Sequence, residues 1–309
     1  MKNSNVKVSN QCVTGVTMKN LTIFLLILVL LIQATIFYTI ARGNELWKPR
    51  PKIVSVKSIN PKFIQGLATD GERWYFSYRD SLYAVKLSNI EEIVAENKRA
   101  IPEHLKVEGY NQIGDIDVYQ DKIFAPIEDK VHEKTLIAVY LAGTLEYINS
   151  IGPLPQKHIP WCTVDPSSQT ILTSEFDEVD EIFVYNFEGK PVKKIKLSMK
   201  LHRIRGGKIL GKHLYLTADD GGDTIYKIDT NTGEVEAYFK IGTPFKIGGI
   251  GYLDGHLYVT VTVERDLGSM LFIIDLFSES VNAATISYIL ILAMACTIVA
   301  IYLMLKSKN

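Results

Sequence analysis

The chain is short of cysteine and has no surplus of charge, and each shortage excludes something. Three cysteines occur, Cys12, Cys162 and Cys296, and only Cys162 lies in the long polar middle of the chain. One cysteine cannot close a disulfide within that region, so nothing there demands an oxidising compartment. Lysine plus arginine equals aspartate plus glutamate at 34 each, which removes the basic excess expected of a nucleic-acid-binding protein. No His-x-x-x-His, Cys-x-x-Cys or Gly-x-Ser-x-Gly pattern is present, and no glycine-rich phosphate loop, so no motif announces a named reaction. The one glycosylation sequon, Asn20-Leu21-Thr22, abuts an apolar run where it would go unused.

Charge is also missing locally. Residues 20–41 carry none, and neither do residues 280–305. A run of about twenty apolar residues at ~1.5 Å rise per residue covers the ~30 Å hydrocarbon core of a bilayer. In lipid every backbone polar group must be satisfied within the segment, so each run is read as a helix. The expected organisation is a tail (1–20), a transmembrane helix (21–41), a linker (42–51), a folded domain (52–278), a second transmembrane helix (283–305) and a short tail (306–309). Tyr38, Trp47, Tyr288 and Tyr302 stand near the run ends, where amphipathic rings favour headgroups. A cleaved signal peptide is the competing reading of the first run. That run is longer than the usual apolar region of such a peptide, and no small-x-small site follows it. Two passes place both tails on one side. The tails hold Lys2, Lys7, Lys19, Lys306 and Lys308 against Arg42, Lys48, Arg50 and Lys52 on the domain side. That balance is near a tie, and since long domains translocate largely regardless of charge, the expectation is tails cytoplasmic and domain extracytoplasmic. The implied partners are the lipid bilayer and other membrane proteins.

What the middle does have is a repeat. An apolar-aromatic strand, a short acidic turn and a second strand recur around Tyr75, Phe124, Leu172, Tyr215 and Tyr258, at spacings of 49, 48, 43 and 43 residues. That is the length of one four-stranded propeller blade. Third strands follow near Leu82, Leu136, Ile182, Thr224 and Leu271. Fourth strands are expected at Ala100 to Val107, Thr144 to Ile151, Val192 to Leu197 and Glu234 to Ile241. Nine residues before each mark stand Gly66, Asp115, Thr163, Gly206 and Gly249, mostly small residues that suit inner strands crowded around an axis. The fifth unit lacks its fourth strand, and Lys52 to Ile59 is an orphan alternating strand at the other end. Pairing it with Leu271 to Leu276 would close a ring of five blades and leave no raw edge. The fold class is therefore an all-β propeller, closed by its N-terminal strand and flanked by two transmembrane α-helices. The chain would enter and leave the disc on one face, and the loops joining strands two to three and four to one would lie on the other.

Units such as Gly66-Leu67-Ala68-Thr69-Asp70-Gly71 and Leu214-Tyr215-Leu216-Thr217 resemble the broad NHL, YVTN and SMP-30-like group of propellers across residues 52–276. The resemblance implies architecture, and that group includes metal-dependent lactonases, lyases and pure interaction modules.

Candidate chemistry gathers on the loop face away from the chain ends. Five residues after the marks stand Asp80, Asp129, Asp177 and Asp220. Converging carboxylates repel unless a cation sits between them, and oxygen-rich rings suit a divalent ion such as Ca²⁺. Asp also opens tight turns by accepting backbone N–H bonds, and a repeat repeats its turn residue. Asp219, Asp220 and Asp223 surround Gly221-Gly222 in a loop that lacks the spacing and terminal Glu of an EF-hand. Metal candidates are thus Asp129, Asp165, Asp177, Asp219 and Asp220. Nearer the axis, Asp115 and Asp117 share an inner strand, and Glu128, His158 and His202 lie close enough in the topology to form an acid-base group with them. Catalytic candidates are Asp115, Asp117, His158 and His202. Two functions remain open. One is a non-enzymatic, membrane-tethered interaction or scaffold module, a subunit of a larger membrane complex. The other is a metal-dependent hydrolase or lyase of the lactonase-like kind.

Overall fold

The structure, a computed structural model, describes residues 51–129, 131, 133–264 and 268–276, with helical positions 24, 27, 28, 30–34, 292, 295, 297 and 299. The chain divides into two compact units, residues 51–277 and residues 1–50 with 278–309. The two expected transmembrane segments, 21–41 and 283–305, lie outside the described residues except at those scattered positions. Among the described residues no helix is long and apolar enough to cross a membrane. Within that unit the Gln33 side-chain amide donates to Thr297 Oγ1 at 2.5 Å, joining the two apolar runs.

The larger unit consists of five antiparallel sheets. The first blade holds β2 (Gly66–Thr69), β3 (Arg73–Tyr78), β4 (Ser81–Lys86) and β5 (Asn89–Asn97). In the second, β6 (Gln112–Ile113) and β7 (Asp117–Tyr119) share the inner position, followed by β8 (Lys122–Asp129), β9 (Lys134–Leu141) and β10 (Tyr147–Leu154). The third holds β11 (Thr163–Asp165), β12 (Thr170–Thr173), β13 (Val179–Tyr185) and β14 (Pro191–Leu201). The fourth holds β15 (Ile204–Leu210), β16 (His213–Ala218), β17 (Thr224–Asp229) and β18 (Val235–Lys240). The fifth is β19 (Lys246–Leu253), β20 (His256–Glu264), β21 (Gly268–Asp275) and, as its outer strand, β1 (Lys52–Ile59).

Closure follows the expected pairing. β1 runs antiparallel to β21, with Lys52 opposite Asp275 and Ile59 opposite Ser269. The ring is also closed by packing. Blades bury both faces against their neighbours, and five apolar clusters fill the five gaps between them. The last of these brings Ile59 and Leu271 of the fifth blade against Phe63, Leu67, Trp74 and Phe76 of the first, with Phe63 stacked on Phe76 at 4.2 Å. Each such aliphatic or aromatic side chain removed from water stabilises the assembly by roughly 1.5–3 kcal/mol.

One strand differs from expectation. The fourth strand of the first blade is β5, not Ala100 to Val107, and Glu103–Val107 forms a short helix, α1. Glu91, Glu92 and Glu96 leave β5 exposed on most of its length, so it lacks the apolar alternation that marks a half-buried strand. Pro102 at the N-cap and Glu103 in the first turn favour the helix, which buries only Leu105.

The polarity of the strands fixes two faces. Lys52 and Asp275 are paired at the ends of β1 and β21, so the chain enters and leaves the propeller side by side. β20 runs the other way, so Thr262 and Val263 stand on the opposite face. The starts of the inner strands open onto that opposite face.

Candidate functional site

The axis is built from the two aspartates of the second blade's inner strand. That strand is interrupted between β6 and β7, where Asp115 leaves its own ladder and bridges to Trp161 of the third blade. The Asp115 N–H donates to Pro160 O at 2.8 Å, and its carbonyl accepts from Cys162 N–H at 3.2 Å. The carboxylate reaches the remaining three blades. Oδ1 accepts from Leu67 N–H at 2.9 Å, and Oδ2 accepts from Gly207 N–H at 3.1 Å and Ile250 N–H at 3.2 Å. One residue thus ties its own blade to the other four.

The glycines nine places before the marks explain how it fits. A Cβ on Gly206 would stand 2.6 Å from Asp115 Oδ2, and one on Gly249 would collide with Oδ1. Four small residues and one carboxylate share the centre. Burial pushes the Asp115 carboxyl well above the ordinary range, the three amides pull it back in part, and Asp117 adds to the rise.

Asp117 lies further along the axis and is spent in the same way. Oδ2 accepts from Thr163 Oγ1 at 2.6 Å and Val164 N–H at 2.9 Å, while Oδ1 accepts from Val118 N–H at 2.8 Å and pairs with Lys208 of the fourth blade. Cys162 is fully buried beside it, and burial pushes its thiol up, so it is an inert packing group.

A cavity of about 690 Å³ opens at the end of the axis opposite the chain ends. Asp115 and His158 both line it, together with Glu128. His158 Nε2 lies 3.0 Å from Glu128 Oε2, its backbone N–H donates to Glu175, and its ring packs on Phe176 at 4.8 Å. Arg205 covers the same Phe176 ring at 4.8 Å and donates from Nη2 to Asp219 at 3.0 Å. Arg203 donates to that carboxylate as well, at 2.6 Å. Across the opening, Arg79 lies over the Tyr78 ring at 5.0 Å. Lys246 and Phe245 complete the wall from the start of the fifth blade.

His202, the remaining catalytic candidate, is half-exposed away from this cavity, with Nδ1 2.8 Å from Asp177. That bond lowers the Asp177 pKa below its ordinary value. The other metal candidates also hold local structure. Asp165 accepts from Ser167 N–H, Ser167 Oγ and Ser168 Oγ in the turn after β11. Burial raises its pKa, but these hydroxyl and amide bonds outweigh burial and hold the carboxyl low. Asp220 accepts from Gly222 N–H, Thr224 Oγ1 and Tyr226 OH, which likewise outweigh burial. Asp219 faces two guanidiniums, and Asp129 accepts from Val131 N–H at 3.1 Å. Among the described residues no three His, Cys, Asp or Glu side chains form a metal-ligating group. The sequence candidates therefore do not meet at one point. Asp115 and His158 share a cavity, and the others are distributed along the axis, the rim and the far turns.

Sequence reasoning missed Arg79, Arg205 and Lys246. For Arg79 alone the signal lay one position away from the aspartates that drew attention, while Arg205 and Lys246 stand at unrelated places in their units. Four residues after the marks stand Arg79, Glu128, Phe176, Asp219 and Thr262, and this ring borders the opening or supports the side chains that do. Of the turn aspartates one place later, Asp129 and Asp220 bond within their own loops, Asp177 to Glu178 N–H and His202, and Asp80 to Lys106.

No protein-family model matches the chain, and no curated protein matches it. Among solved structures it is similar to the computationally designed Ika8 protein, at 10% identity and a TM-score of 0.38, over 68% of this chain and 57% of that one. It is also similar to a luciferin-regenerating enzyme, at 12% identity and a TM-score of 0.45, over 72% and 78%. The designed Ika4 protein is similar at 13% identity and a TM-score of 0.33, over 48% and 84%. The chain spans less than two thirds of Ika8. Likenesses this weak carry no argument about activity, and the five-bladed fold stands on strand pairing and packing.

Proposed function

We propose that this protein is a membrane-tethered binding module, a rigid propeller that presents its axial cavity to a partner or ligand and performs no chemistry on it. The observation that carries the reading is the use made of the axial acids. Asp115 and Asp117 are saturated by backbone amides, hydroxyls and a lysine from neighbouring blades. A carboxylate so engaged is a staple between blades and is poorly placed to act as a base or a metal ligand. The tether rests on the two charge-free runs and on the Gln33 to Thr297 hydrogen bond between them. Polar side chains of this kind join helices in lipid. Both chain ends of the propeller leave from the face opposite the cavity.

The test is the native size of the full chain, extracted gently from its own membrane, by native electrophoresis and mass spectrometry. The reading expects the protein in the membrane fraction, resistant to alkaline carbonate, and co-migrating with a larger assembly. A carbonate-soluble chain, or a lone species carrying a stoichiometric divalent ion, would overturn it in favour of a hydrolase or lyase.

A further inference from the structure

We infer that the axial cavity is a carboxylate-binding site, in which Arg205 and Lys246 supply the charge. The inference rests on the binding-module reading in taking this face as the working one. The charged groups lining the opening are Arg79, Arg205, Lys246, His158, Asp115 and Glu128. Three cations face two acids. Asp115 is turned inward, with both oxygens on backbone amides of three blades. Glu128 Oε2 lies 3.0 Å from His158 Nε2. The acid nearest the Arg205 guanidinium, Asp219, is shared with Arg203, so two guanidiniums divide one carboxylate. Lys246 is exposed and makes no ion pair among the described residues. The lining thus carries one more cation than acids. Arg205 Nε is buried and has no acceptor among the described residues.

Pre-organisation argues for a planar anion. Arg205 is fixed by stacking on Phe176. A guanidinium already held in place presents its fork of donors at little entropic cost, and that fork matches a carboxylate in bidentate geometry. Gln65, Asn111 and Gln112 add amide groups to the wall, and Ile64, Pro244 and Phe245 add an apolar side. At about 690 Å³ the cavity has the size of a small-ligand site. An organic acid fits this lining, whether free or as the acidic side chain of a partner's loop.

The two sources are separated by the probes. Glutarate and the capped tripeptide acetyl-Gly-Glu-Gly-amide are titrated calorimetrically into the full chain in mild detergent, with inorganic phosphate as a competitor. Binding of glutarate alone indicates a free acid, and binding of the peptide alone indicates a protein segment. Both support the site, provided that K246E and R205K each weaken affinity by about tenfold or more. Arg205 also props Asp219 and Phe176, so K246E, at an exposed side chain, carries the test if R205K lowers the melting temperature. Failure of both carboxylates to bind at millimolar concentration, phosphate binding as tightly, or an unchanged affinity in K246E would overturn the site while leaving the tether intact. Recovery of a chemically altered probe would support the site and overturn the non-enzymatic reading.

Discussion

At the scale of the residue, Asp115 decides more of the molecule than any other side chain. A carboxylate at the centre of five converging strands accepts from three buried backbone amides of three other blades. Replacing it with alanine leaves three buried donors without an acceptor, at about 1–3 kcal/mol for each such group. D115A should therefore lose about 3 kcal/mol or more of stability, read as a lowered thermal or denaturant midpoint. A change within about 0.5 kcal/mol, as for an ordinary surface site, would mean that the carboxylate does not join the blades. Its role was only partly legible in the sequence. The small residues at equivalent positions in other blades announced a crowded axis. That a single aspartate would occupy the space they vacate depends on the three-dimensional meeting of residues 48, 92 and 135 positions apart.

At the scale of the element, second and outer strands are not equally readable. β3 and β8 are packed between blades on both faces and are buried almost throughout, so their apolar runs set the register of the repeat. Outer strands have one weakly covered face. β5 is exposed along most of its length, carries three glutamates, and was displaced in the sequence reading by a stretch that forms α1. The orphan strand β1 was legible because it alternates, because the fifth repeat lacked a partner, and because a propeller leaves no free edge. Its deletion is the direct check. Removing residues 52–59 exposes the length of β21 and the apolar gap that Ile59 helps to fill. The shortened chain should melt at least about 10 °C lower, since 1 kcal/mol corresponds to about 2–4 °C at this size. It should also self-associate through the bared edge. An unchanged melting point would show that the ring does not depend on this closure.

At the scale of the whole molecule, the topology separates two faces. The face bearing Lys52 and Asp275 connects to the rest of the chain, and the opposite face carries the cavity with its surplus of positive charge. The sequence made this division visible once the closure was recognised. It did not reveal the charge of the opening, because Arg79, Arg205 and Lys246 come from three blades and occupy different places in the repeat. Turn aspartates are regular and conspicuous, whereas a binding surface assembled from one residue per blade has no period to detect.

The claim that the cavity face is where this protein meets its partner can be tested by photo-cross-linking in intact membranes. A photoreactive amino acid is placed at Lys246 on the cavity rim or at Lys212, an exposed position in the β15–β16 turn on the other face. The account predicts a discrete adduct from position 246, suppressed by added glutarate or the capped peptide, and none from position 212. Adducts from position 212 alone, or equal yields from both, would contradict it.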